Sequence, residues 1–481
     1  MLNKIILSVS IVLLLGLYYL DLIPMDIDEG FIGRVLLILG FCIISFFWVR
    51  NERQREIKSQ YVRMSVIFVI SFSIVHFQAY VDYIFGFLDS DNYFVWIDRS
   101  VVNKSVVISS IAIISYFLGY SLRGVNTSST TSKGVQQTIV VVNYRILEYL
   151  SLLFFLYFLI NIDSSFLQSS NYGDRSIESK GGYGPLFFES SVFAIIVLNI
   201  RNLLVLKQTN ITILKYIKSY GFIFYVLILY LGLVMMSGDR GPLIYLILGF
   251  VFGYIFVTSR KFSLPTIVFS IAVLATFITL LGVIRGLNEE GTFTDKITQA
   301  ITNPDLKKSR VYPSSIINNT KELAASVRTV HLAVANVPGK YDYFFGLFLA
   351  QNVSVIFPGF NSLMNEFFSI PRPLFTSARF FTFLDMGLFP SYGVGTSCVA
   401  DVFIDFGVIG TVIIFGFFGL FTRRMELIAL VKIKPSILAV ATALLFFSFS
   451  VYISRSNLII PFTKLTYVVA LCYVPSLFKR K

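Results

Sequence analysis

The sequence predicts an all-α polytopic membrane protein with about twelve transmembrane helices and one long, partly helical extracytoplasmic loop. Three observations predict it. Residues AVILMFWYC make up 56% of 481 positions, and Asp, Glu, Lys and Arg only 14%, against roughly 25% charged residues in a soluble domain. The apolar residues gather into runs close to the ~20 residues that cross a ~30 Å hydrocarbon core. The basic residues recur between alternate runs, as they do in cytoplasmic loops.

The runs cover 4–21, 31–49, 65–87, 104–121, 146–162, 186–206, 219–237, 241–258, 264–284, 402–421, 437–453 and 458–477. The first has Lys4 before it and no small-residue cleavage site after it, so it reads as an anchor. With the N-terminus in the cytoplasm, the cytoplasmic segments hold 22 of the 40 basic residues and only four of the 27 acids. That asymmetry sets the orientation and puts both termini in the cytoplasm. The net charge of +13 would suggest nucleic acid in a soluble protein. Its dispersal between spans excludes that partner and leaves the lipid bilayer.

The order divides the chain into nine helices over 1–284, a loop over 285–401 and three helices over 402–481. The segment 122–145 reads as a polar, flexible connector. The long loop contains apolar pieces near 343–350, 353–360 and 380–389, too short to span and suited to interfacial or re-entrant helices. A structured loop of this length is usually functional. Three scattered Cys and two His give no disulfide framework, no zinc spacing and no multi-His metal site. His76, alone in the third run, is expected to bond a neighbouring helix.

The loop gathers arginines where positive-inside logic disfavours them: Arg285, Arg310, Arg328, Arg372 and Arg379. Arginine grips phosphate bidentately, so these are candidate diphosphate ligands; the alternative is a solvated, charge-balanced loop. M-M-S-G-D-R-G-P at 235–242 joins two runs with almost no loop. It sets Arg240 beside a helix N-terminus, where amide groups, helix dipole and guanidinium favour an anion; the alternative is a capping Asp239–Arg240 turn. In R-T-V-H-L-A-V-A-N-V-P-G at 328–339, a helix over 321–335 would put Arg328 and His331 on one face. Such a pair suits anion binding or proton transfer, or simple packing. In Y-G-V-G-T-S-C-V-A-D-V-F-I-D-F-G-V-I-G at 392–410, Asp401 and Asp405 share one face near a helix start. An acid there can deprotonate a hydroxyl, orient an arginine or complement the helix dipole. The D-x-D triplets Asp26–Asp28 and Asp89–Asp91 are short enough to arise by chance; a divalent metal is their less favoured reading. The loop aromatics read as a membrane belt ahead of a sugar-stacking surface.

The order of S-G-D-R-G-P between two helices, the long outer loop, R-T-V-H-L within it, and G-V-G-T-S-C-V-A-D-V-F-I-D-F-G-V-I-G opening the next helix resembles the Wzy family of O-antigen and oligosaccharide repeat-unit polymerases. Arg328 and Gly339 also match the family's Arg, ten residues, Gly spacing. The resemblance implies a metal-independent, cofactor-free glycosyltransferase in the bacterial inner membrane, acting at the periplasmic face. Its donor and acceptor would be oligosaccharides on undecaprenyl diphosphate, and a chain-length regulator is a further implied partner. Arg240 and Arg328 would hold the diphosphate, helped by Arg285, Arg310, Arg372 and Arg379. His331 or Asp401 would assist the acceptor. The rival readings are an O-antigen ligase and a lipid-linked glycan flippase or other transporter.

Overall fold

A computed structural model describes residues 2–48, 63–122, 141–162, 183–237, 239, 241–258, 314–390, 393–430 and 436–478. Among them the repeating structure is helical. The helices are α1 Leu2–Tyr19, α2 Glu29–Trp48, α3 Met64–Ile84, α4 Arg99–Ser121, α5 Arg145–Asn161, α6 Gly184–Val205, α7 Ile213–Lys218, α8 Ile223–Met236 and α9 Gly241–Thr258. There follow α10 Lys321–Ala324, α11 Arg328–Asn336, α12 Leu347–Ser354, α13 Phe360–Phe367, α14 Ser377–Met386, α15 Cys398–Leu430, α16 Ile437–Ser448 and α17 Leu465–Leu477.

Among the described residues, eight helices are long and apolar enough to cross a membrane: α1, α2, α3, α4, α6, α9, α15 and the Ile460–Leu477 stretch that contains α17. The chain is therefore a multi-pass membrane protein by length and composition. The expected runs at 219–237 and 437–453 form the shorter apolar helices α8 and α16, and 146–162 forms α5. The run 264–284 lies outside the described residues.

Two buried helices organise the bundle. Around α4 pack α1, α2, α3 and α15; around α6 pack α5, α9, α16 and α17. Lipid offers no hydrophobic drive for helix association, so close backbone approach matters more. Glycine supplies it between α4 and α15. A Cβ on Gly119 would lie 1.9 Å from the Gly416 carbonyl oxygen, and one on Gly419 would lie 2.1 Å from the Tyr116 carbonyl oxygen.

The helix after the long loop starts at Cys398, four residues before the expected 402. It is broken at Gly407, whose φ of 66° and ψ of −162° leave the helical region. The break frees the Ile404 carbonyl, which accepts from the Phe344 N–H at 3.0 Å. A Cβ on Gly407 would meet the Tyr343 ring at 3.0 Å. The loop thus plugs into the kink of α15.

Side chains of the bundle fix the loop's path. Asp82 of α3 accepts from Ser315 Oγ at 2.6 Å and the Ile316 N–H at 2.8 Å. Gln78 Nε2 donates to Ser315 Oγ at 2.7 Å. The expected helix over 321–335 is three pieces: α10, a 3-10 turn at Ala325–Val327, and α11. His76 corrects another expectation. Its Nδ1 meets the Phe72 carbonyl of its own helix at 3.2 Å and its ring stacks on Phe72, so it does not tie α3 to a neighbour through that nitrogen.

Candidate functional site at the loop-bearing end

Helix α11 is packed between α4, α14 and α15. Arg328 opens it and is buried. Its Nη2 donates to both carboxylate oxygens of Asp385 at 2.7 Å, and its guanidinium carbon sits 4.4 Å from the Phe94 ring centroid. Its Nε has no hydrogen-bond partner. The pair ties α11 to α14 and leaves one buried donor unspent.

His331 is fully buried. Its Nδ1 lies 3.0 Å from the Val95 carbonyl and its Nε2 2.9 Å from Tyr80 Oη. A carbonyl only accepts, so the proton belongs on Nδ1 and Nε2 accepts from the tyrosine. Burial pushes the pKa down from 6.5 to about 4; the Val95 carbonyl and Asp98 oppose this, while Arg328 adds to it. The ring is neutral and both its nitrogens are engaged. The open cation–imidazole pair expected from the spacing is replaced by two separate locks, because the helix presents this face to the bundle.

Between α11 and the start of α4 lies a depression of about 420 Å³. Tyr93, Trp96 and Arg99 line one side; Leu332, Asn336 and Lys340 line the other. One wall is therefore built by the R-T-V-H-L-A-V-A-N segment. Arg99 also draws the two D-x-D triplets together: its Nε is 3.0 Å from Asp26 and its Nη1 2.9 Å from Asp91. Asp28 caps α2 through the Phe31 N–H at 2.8 Å. The cation these acids meet is a guanidinium. Among the described residues, no three His, Cys, Asp or Glu side chains gather as a metal site requires.

Asp401 and Asp405 are both buried on α15 but have different partners. Asp405 accepts from the Phe348 and Leu349 N–H groups at 3.2 and 2.8 Å, capping the N-terminus of α12. Asp401 accepts from Thr396 Oγ1 and from Asn352 Nδ2. Asn352 in turn accepts from Asn457 Nδ2 at 3.2 Å, in the segment leading to α17. A polar chain thus runs from α15 through α12 towards the α6-centred half of the bundle.

That half holds a site the sequence reading missed. Glu189 of α6 is buried and accepts from Tyr230 Oη of α8 and Tyr245 Oη of α9, each at 2.5 Å. Lys464 Nζ completes the set and lies 5.0 Å from the Tyr245 ring centroid. The two tyrosines come from the helices that precede and follow the S-G-D-R-G-P segment, so one carboxylate joins both helices. The available signal was an acid near the start of the 186–206 run and a lone base inside the 458–477 run.

Arg240, Arg285 and Arg310 lie outside the described residues. Beside Arg240, Asp239 Oδ1 accepts from the Gly241 N–H at 2.9 Å, and α9 starts there with Pro242 in its first turn. Arg372 begins a 3-10 turn ending at Leu374. Arg379 is exposed on α14, 5.5 Å from the Phe375 ring centroid. The structure brings Arg328 and His331 onto one short helix and places Asp401 on the helix packed against it. Compared with family models, curated proteins and solved structures, the chain matches none.

Proposed function

We propose that the protein is a membrane glycosyltransferase that polymerises oligosaccharide repeat units carried on undecaprenyl diphosphate. The observation that carries this reading is the depression walled by α11. It sets Lys340 and Arg99, the latter paired with Asp26 and Asp91, beside Tyr93, Asn336 and Asp98. A sugar diphosphate calls for such a set: cations for the phosphates, the exposed Tyr93 ring for a sugar face, and an amide and a carboxylate for its hydroxyls. The site lies at the end of apolar helices, where a lipid-borne diphosphate would sit at interface depth.

In the reaction, the acceptor's sugar hydroxyl attacks the donor's anomeric carbon. The bond from that carbon to the diphosphate oxygen breaks, and undecaprenyl diphosphate leaves with the negative charge. Preorganised cations stabilise that charge as it develops; one such contact is commonly worth 10²–10³ in rate, about 3–4 kcal/mol. Arg328 is the candidate from α11, held in place by Asp385 with Nε unspent, and Arg240 the candidate from the S-G-D-R-G-P turn. His331 positions α11 from behind through Tyr80 and Val95. Asp401 is the candidate base for the hydroxyl proton. The excess of basic residues in the opposite loops supports a location in the inner membrane, with this end facing the periplasm.

The test is direct transfer. Purified protein in liposomes is given one lipid-linked repeat unit, and products are resolved by mass. The expected result is a series of two and more repeats with release of undecaprenyl diphosphate, and loss of that series in Arg240→Ala at unchanged protein level. Transfer to lipid A core without lengthening would instead favour a ligase. Passage of the repeat unit across the bilayer without a new bond would favour transport.

A further inference from the structure

Helix α13 is amphipathic and leaves its apolar face uncovered by protein. Phe360, Leu363 and Phe367, at spacings of three and four, share one face and are 46%, 59% and 77% exposed. No residue of the helix is buried. Phe357 and Phe368 extend the exposed aromatic surface on either side. Of the polar positions, Asn361 and Asn365 turn towards α12: Asn361 Oδ1 accepts from Ser354 Oγ at 3.2 Å, and Asn365 Nδ2 reaches Asn361. Ser362 and Glu366, opposite the apolar face, are exposed. A helix surrounded by water would cover its phenylalanines against the protein.

The position of the helix says what solvent it meets. Just before it, the Ile356 carbonyl accepts from Thr466 Oγ1 at 2.6 Å. Thr466 lies within Ile460–Leu477, a stretch long and apolar enough to cross the membrane and largely unburied by protein. The chain approaching α13 is therefore tied to the flank of a spanning helix, inside its apolar length. Gly359, at φ 77°, makes the turn into α13 from that point. Phe357, Pro358, Gly359, Phe360 and Leu363 line a shallow apolar depression of about 630 Å³.

We infer that α13 lies in the bilayer leaflet at the loop-bearing end, with the Phe360–Leu363–Phe367 face among the lipid acyl chains. The occupant of this surface is bilayer lipid, as expected for an interfacial helix. Through Asn361 and Ser354 it holds α12, and through Asn352 it holds the Asp401 side of α15, at a fixed depth. The inference is independent of the proposed reaction.

The test is a nitroxide scan of residues 360–367. Each is changed in turn to Cys, spin-labelled, and the protein reconstituted in phosphatidylethanolamine and phosphatidylglycerol vesicles. The native Cys42, Cys398 and Cys472 are buried, which keeps background labelling low. Collision with oxygen, which concentrates in lipid, is compared with collision with a water-soluble nickel chelate. The expected oxygen-to-nickel ratio rises and falls with helical period, high at Phe360→Cys, Leu363→Cys and Phe367→Cys and several-fold lower at Ser362→Cys and Glu366→Cys. A ratio at 363 and 367 as low as at 366 would put the face in water and overturn the inference. Exclusion of both reagents at 360, 363 and 367 would mean that protein, such as a second copy, covers the face, and would overturn it equally.

Discussion

Replacing Lys464 by Met should destabilise the bundle strongly, and also replacing Glu189 by Gln should recover most of the loss. In the native protein the Glu189 carboxylate has three donors: two tyrosine hydroxyls at 2.5 Å and the Lys464 ammonium. Removing one partner of a buried pair commonly costs about 3–5 kcal/mol, because the other charge stays buried. The two tyrosine hydrogen bonds remain, which places Lys464→Met near the lower end, about 3 kcal/mol. In the Glu189→Gln, Lys464→Met double variant no charge is stranded, and a pair so replaced is often close to neutral. The expected cost is then ~1 kcal/mol, for one altered tyrosine contact. The assay is thermal unfolding in detergent with a dye that fluoresces on reacting with thiols. All three cysteines are free and buried, so the signal reports loss of the fold. The midpoint should drop in Lys464→Met and recover in the double variant. An unchanged midpoint in the single variant, or additive losses in the double, would refute the reasoning that the two charges are buried as a pair.

Gly119→Ala should destabilise by ~1–3 kcal/mol or more through overpacking, since the new Cβ would fall 1.9 Å from the Gly416 carbonyl; Gly16→Ala, with no heavy atom within 4 Å of its Cβ, is the matched control in the same melt. The contribution of His331 to stability should fall on acidification from about pH 6.5 to about pH 4, because the unfolded chain takes up a proton on His331 that the buried neutral ring refuses. By linkage this contribution is fully present above pH 6.5 and its loss reaches ~3 kcal/mol near pH 4. In denaturant unfolding across that range, the stability of wild type relative to His331→Gln should shrink as the pH falls. Asp405→Ala should cost about 0.5–2 kcal/mol as a lost helix cap, and hydrogen exchange should speed up at the Phe348 and Leu349 amides that the carboxylate now accepts from.

The spans were legible because lipid imposes a length and a composition on them, and eight of the expected runs are helices of spanning length. The loop helices were legible only in part: the expected piece 380–389 overlaps Ser377–Met386 and 343–350 overlaps the first half of Leu347–Ser354, whereas 353–360 falls mostly on the turn between Leu347–Ser354 and Phe360–Phe367. The partners of the site residues were not. Helical spacing put Arg328 and His331 on one face but carried no sign that the face is buried, since Asp385, Tyr80 and the Val95 carbonyl reach it from distant positions. Asp401 and Asp405 look equivalent four residues apart, yet one takes side-chain donors and the other caps α12. The D-x-D triplets resemble ligands until Arg99 is seen between Asp26 and Asp91. Glu189 and Lys464 are 275 residues apart in sequence, so neither points to the other as its partner.

The most direct measurement of the central proposal is a gel of surface polysaccharide from a strain with the gene deleted, then complemented with wild type or Arg328→Ala at equal membrane levels. The account predicts a ladder that collapses to core plus one repeat in the deletion, returns with wild type and fails to return with Arg328→Ala. A ladder that persists in the deletion would contradict it.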